Sequence, residues 1–280
     1  MKKLNRNNLK LISSELEGDL YSCYSELEEK NKPLLFIRDH ITTGFHPAAI
    51  AYGLNKKLTV NDICFNHYDE FIHKPYIWVY NYAKSYSSKD YHKASNFAKS
   101  LLVSLELSKI GNVDILGEGL GGIVAMYASL SSKVDKVLAI HPPILGAPIA
   151  DIDLLREKAK TFRQRLILMA LNQIIDSCYG YNIENMNGYS DINKRCRLEK
   201  IKVVGSSIVG YEKNNNLEQL LSELIYDCTG IGNDGISLWD QEMLTRMGFD
   251  VVNDDVPVSH FKMLKNSDYE KEQYKRLILR

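Results

Sequence analysis

The sequence predicts an α/β fold, a mostly parallel central sheet flanked by helices, and three observations carry that prediction. From residue 33 onward, short apolar strands alternate with amphipathic helices, the pattern of a parallel sheet covered on both faces. One strand runs through a glycine-rich reversal directly into a helix, in Val113-Asp114-Ile115-Leu116-Gly117-Glu118-Gly119-Leu120-Gly121-Gly122. The chain has 280 residues, enough to bury one large core, and its charge is balanced at 35 basic against 35 acidic residues.

Taken in order, Leu9, Leu11, Ile12, Leu16 and Leu20 stand at helical spacing with acidic residues among them. A packing helix is therefore expected over residues 9–30, within an N-terminal helical segment of residues 1–32. Pro33-Leu34-Leu35-Phe36-Ile37 reads as a strand, and Tyr76-Ile77-Trp78-Val79-Tyr80 as a second, rich in aromatic and β-branched residues. A helix is expected between them near residues 47–52. Ala94, Phe97, Ala98, Leu101, Leu102, Leu105 and Leu107 mark an amphipathic helix over residues 91–110, stopped by Gly111. After the glycine turn, residues 123–130 continue as a helix and Val137-Leu138-Ala139-Ile140 is the next strand. Residues 154–179 read as one long helix, basic at Arg156, Lys158, Lys160, Arg163 and Arg165. Lys202-Val203-Val204-Gly205 returns to the sheet, residues 217–225 form a helix, and Phe249-Asp250-Val251-Val252 is the final strand.

Composition narrows the function classes. Zero net charge gives no electrostatic case for nucleic acid or an anionic membrane as the main partner. Cys23, Cys64, Cys178, Cys196 and Cys228 are odd in number and lack metal-ligand spacing, as reduced cytosolic thiols do. The polar start and the lack of a long apolar run make a cytoplasmic protein without a membrane span the expectation. No motif calls for a cofactor or a metal.

The glycine turn has the outline of a nucleophile elbow, G-x-S-x-G, with Gly119 at the apex where the nucleophile belongs. Such a reversal is so tight that its flanks must be glycine, here Gly117 and Gly121, while the apex side chain is thrust forward from a strained backbone. Gly117, Gly119 and Gly122 also fit the spacing of a dinucleotide-binding G-x-G-x-x-G. That reading wants an acid closing the next strand, which ends instead in His141-Pro142-Pro143.

Three further segments complete a pattern. Ile140-His141-Pro142-Pro143-Ile144-Leu145-Gly146-Ala147-Pro148-Ile149-Ala150-Asp151 resembles the loop after the post-elbow strand in lipases of the α/β-hydrolase fold. Gly232-Asn233-Asp234-Gly235-Ile236 resembles that family's acid-bearing loop, and Val258-Ser259-His260-Phe261 its histidine-bearing segment. The order elbow, acid, histidine is the one the fold requires. With the elbow, the resemblance spans roughly residues 33–265 of the chain. It implies an α/β-hydrolase core in residues 33–151 and 199–280, with a cap or lid inserted at 152–198. It also implies Asp234 and His260 as the acid and base of a catalytic triad and a small apolar or ester-like ligand. The residues alone leave blander readings open, since Asn-Asp-Gly is a common turn and a histidine near a chain end is often a surface or capping residue.

The same resemblance exposes two departures. The apex, Gly119, has no reactive oxygen, and Glu118 before it would not point where a nucleophile points. The strand ending near Ile37 should close in His-Gly, whose backbone donates to the developing oxyanion alongside the N–H of Leu120. Arg38-Asp39 stand there instead, or His40 with Gly44 in a looser alignment. Loss of a triad serine removes on the order of a million-fold in rate, about 8 kcal/mol of transition-state stabilisation. Two lesions in one machinery point to natural loss and to a binding or regulatory protein. Two rivals stay open. One is an active ester hydrolase whose serine was replaced by engineering, or is supplied by Ser206-Ser207 or by a water on His260. The other is a non-hydrolytic enzyme using Asp234 and His260 as a general base. If oxyanion donors survive, Gly119→Ser alone is expected to restore a burst of acyl-enzyme.

Overall fold

The computed structural model describes residues 9–15, 18–23, 32–37, 39, 74–80, 94–150, 152–175, 188–211, 217–260, 263, 269 and 272–273. The chain opens with an antiparallel hairpin of β1 (Leu9–Ser14) and β2 (Gly18–Cys23). This corrects the helix expected over residues 9–30 as far as residue 23, and residues 24–30 lie outside the described residues. The register slips between Leu11 and Ser13, and such an irregularity breaks the two-residue alternation that identifies a strand, leaving apolar residues at helix-like spacing. Serines and glycine are weak helix formers. Here the Glu15 N–H donates to the Gly18 carbonyl at 2.9 Å, closing the reversal.

Among the described residues six strands follow, all parallel: β3 (Pro33–Ile37), β4 (Lys74–Tyr80), β5 (Val113–Glu118), β6 (Val134–Ile140), β7 (Ile201–Gly205) and β8 (Asp250–Asn253). The sheet order is β1-β2-β4-β3-β5-β6-β7-β8, with β2 antiparallel to β4. The central strands are buried on both faces, every residue of β5 included, as expected where helices cover a parallel sheet. From β3 the chain proceeds to β4 on one side, and from β5 to β6 on the other. The direction of winding therefore reverses between β3 and β5, and the crevice at their carboxyl ends is where open parallel sheets place ligands.

Helix α1 (Ala94–Leu107) buries Ala94, Phe97, Ala98, Leu101 and Leu105. The chain turns out of it through Lys109 at φ 52°, two residues before the glycine expected to stop it. Helix α2 (Leu120–Ala128) springs directly from the elbow and is apolar all round, with Leu120, Ile123, Val124, Ala125, Met126 and Ala128 buried. The single helix expected over 154–179 is two, α3 (Ile152–Lys158) and α4 (Phe162–Ile175). The break is a capping box: the Gln164 N–H donates to Thr161 Oγ1 at 3.1 Å, and the Thr161 N–H donates back to Gln164 Oε1 at 3.0 Å. Both helices pack on α5 (Leu217–Thr229), and the short α6 (Gln241–Arg246) leads to β8. The expected helix at 47–52 and residues 176–187 of the expected cap lie outside the described residues. Among the described residues, no helix is long and apolar enough to cross a membrane.

Candidate functional site

At the end of β5 the backbone makes the reversal that the glycines allow. Gly119 has φ 53° and ψ −124°, a conformation costly to any residue with a Cβ. Its N–H donates to the Ile140 carbonyl at 2.9 Å, and its carbonyl accepts from the Gly122 N–H at 3.0 Å. A Cβ on Gly117 would stand 2.5 Å from the Gly121 carbonyl oxygen, so that flank must be glycine for α2 to fold back. The apex differs in kind. A Cβ on Gly119 would lie 1.7 Å from Asp39 Oδ2 and 2.5 Å from Asp39 Cγ. The space a nucleophile's side chain would enter is filled by a carboxylate from the loop after β3.

That carboxylate begins a buried relay. Asp39 Oδ2 lies 2.7 Å from His260 Nε2, and His260 Nδ1 lies 2.9 Å from Asp234 Oδ2. The same Asp234 oxygen lies 2.8 Å from His141 Nδ1, and His141 Nε2 lies 3.1 Å from Asp254 Oδ2. The other oxygen of Asp234 is tied to its own loop, accepting the N–H groups of Ile236 at 3.0 Å and Ser237 at 2.7 Å. Asp254 also accepts from the Tyr269 hydroxyl at 2.9 Å and from Ser206 Oγ at 3.1 Å. The five side chains of the relay are at most 3% exposed.

Four imidazole–carboxylate contacts require four protons, and a neutral imidazole donates only one. Two imidazolium rings, each donating from both nitrogens, satisfy every contact. The charges agree. Burial pushes His260 down, but the carboxylates of Asp234 and Asp39 outweigh it and raise the ring to about 10. Burial likewise opposes the charge on His141, yet its hydrogen bonds to Asp234 and Asp254 raise it. Burial pushes Asp234 up, and the two imidazoles more than reverse this, holding it well below the ordinary carboxylate range. An imidazolium at neutral pH has no lone pair with which to take a proton from a nucleophile.

The sequence-predicted residues divide accordingly. The structure brings Gly119, Asp234 and His260 together at the carboxyl ends of the parallel strands. Asp39, read as a departure in the oxyanion loop, stands at the apex itself. Glu118 is the last residue of β5 and is buried, Leu120 opens α2, and the Gly121 carbonyl packs over Gly117. His40 lies outside the described residues. Ser206 is tied to Asp254 and to the Val258 N–H at 2.9 Å, and Ser207 Oγ accepts from the Asn233 N–H at 3.0 Å. His141 and Asp254 were missed as site residues. Their signal was position: each follows or ends a parallel strand at its carboxyl end, His141 after β6 and Asp254 after β8. His141 also adopts φ 47°, rare for a residue with a Cβ, which aims its ring at Asp234.

No protein-family model and no curated protein matches the sequence. Solved structures do. The lipase BlEst2 of Bacillus licheniformis is similar over 92% of this chain and 97% of its own, at 14% identity and a TM-score of 0.51. Proline iminopeptidase of Mycobacterium smegmatis is similar over 97% of both chains, at 9% identity and a TM-score of 0.50. Similarity of this kind speaks to architecture, and it agrees with the parallel sheet flanked by helices. The chain has the α/β-hydrolase fold.

Proposed function

We propose that this protein is a lipase- or esterase-like member of its fold that has lost serine-hydrolase activity and serves as a binding or regulatory protein. The observation that carries the reading is the Asp39 carboxylate lodged where the apex side chain would be, 1.7 Å from a Cβ on Gly119. Hydrolysis by this machinery needs three things: a nucleophile, a neutral histidine and an oxyanion pocket. Gly119 supplies no nucleophile, and two carboxylates hold His260 in its charged form. Asp39 places a negative charge beside the spot where an oxyanion would develop, which opposes that charge instead of stabilising it. The same protonation argues against a water activated by His260 and against a general base built on Asp234 and His260. We read residues 152–198 as the cap of this fold, and a small apolar or ester-like molecule as the ligand that cap and crevice would hold.

The test is a pair of variants on a short activated ester. Gly119→Ser alone puts its Cβ against Asp39 and is expected to give no burst. Gly119→Ser with Asp39→Ala frees both the space and the imidazole, and is expected to give a burst of bound acyl group that His260→Ala abolishes. Turnover by the wild-type chain, lost in His260→Ala, would overturn the reading.

A further inference from the structure

The middle of the relay is built from two imidazoles and one carboxylate aimed at each other. One ligand atom from each of His141, His260 and Asp234 lies within 4.8 Å of the other two, and all three residues are buried; His141 Nδ1 and His260 Nδ1 stand 2.8 and 2.9 Å from Asp234 Oδ2. From these positions we infer that the site takes a divalent transition cation of the zinc class, bound by His141 Nδ1, His260 Nδ1 and Asp234 Oδ2. Two features lead there, and neither depends on whether the protein hydrolyses esters.

The first is the donor set. Two imidazole nitrogens and one carboxylate oxygen suit Zn²⁺ and its first-row neighbours, whereas Ca²⁺ and Mg²⁺ prefer oxygen throughout. The second is what stands behind each ring. A histidine that binds metal through one nitrogen usually donates its other N–H to a carboxylate, which fixes the tautomer. Here His260 Nε2 is 2.7 Å from Asp39 and His141 Nε2 is 3.1 Å from Asp254. Both rings are thus backed as ligand histidines are, with Nδ1 facing inward. The remaining oxygen of Asp234 is held by two backbone N–H groups, which leaves Oδ2 to face the rings.

Binding leaves each ring its Nε2–H, held on Asp39 or Asp254, while the Nδ1 lone pair forms the bond to the metal and any proton there goes to solvent.

Zn²⁺ and Co²⁺, each as the sole added ligand, are the probes. They are added to chelator-treated protein both after folding and during refolding, since the site is closed to solvent. The expected result is one ion per chain, a rise in the thermal unfolding midpoint, and release of protons, read by calorimetry in buffers of different ionisation enthalpy. His141→Gln should weaken binding at least a hundredfold. Asp254→Asn, behind the ring, should weaken it about 10- to 100-fold. Should the variants fail to fold, nitrogen-15 NMR of the Zn²⁺-loaded wild type decides the matter. Coordination through Nδ1 of two histidines with Nε2 protonated supports the site. No saturable binding, binding unchanged in His141→Gln, or coordination only through Nε2 overturns it.

Discussion

Asp39 and His260 decide what this site can do, because each fixes the state of the other. The carboxylate fills the apex and the imidazolium neutralises it, with Asp234 on the far side of the ring. Removing one carboxylate charge should release the ring: Asp39→Asn is expected to lower the pKa of His260 toward its ordinary value, as measured by NMR titration of metal-free protein. The shift also predicts how stability depends on pH. His260 is raised in the folded state, so its contribution is complete below about 6.5 and is lost as pH rises toward about 10. Asp234 is depressed, so its contribution is complete above about 3.9 and is lost only as pH falls through its lower folded value. Urea midpoints, measured with a chelator present, should therefore fall between about pH 6.5 and pH 10. The fall should be shallower in Asp39→Asn. An equal slope in both proteins would mean that Asp39 does not hold the proton.

Among the elements, the elbow and the break between α3 and α4 carry the sharpest expectations. Gly117→Ala would push a methyl group to 2.5 Å from the Gly121 carbonyl oxygen, a backbone atom that cannot rotate away. A loss of about 1–3 kcal/mol or more in unfolding free energy is expected, together with a displaced α2. Thr161→Ala removes the cap that starts α4 and should lower stability by about 1 kcal/mol without touching the relay. Equilibrium denaturation of the two variants measures both effects. The same elements show what the sequence made legible. β3 is readable because a buried parallel strand is a continuous apolar run, and β5 with the elbow because a tight reversal admits few residues besides glycine. The N-terminal hairpin was not, since its register slip disguises the alternation. The α3–α4 break was present in the sequence as Thr161 and Gln164, three residues apart, and was passed over because the apolar spacing continues across it.

Over the whole molecule, the order of the strands gathers the site from distant parts of the chain. Asp39, Gly119, His141, Asp234, Asp254 and His260 meet only because β3, β5, β6, β7 and β8 lie side by side and parallel. Motifs revealed the members that sit in recognisable local patterns, namely Gly119, Asp234 and His260. His141 lies in the loop pattern after β6, which marks the fold and not its role in the site, Asp254 has no local pattern, and the placement of Asp39 at the apex depends on a contact across the sheet between the ends of β3 and β5. Sequence spacing cannot express such a contact, which is why Asp39 was read only as a lesion in the oxyanion loop. It is also why the single restoring change, Gly119→Ser, has to become a double one. The ring of His260 tests this directly. Nitrogen-15 and proton NMR of metal-free wild-type protein should find protons on both ring nitrogens at neutral pH, with titration only near about 10. A neutral ring at neutral pH, its Nε2 bare and free to accept a proton, would contradict it.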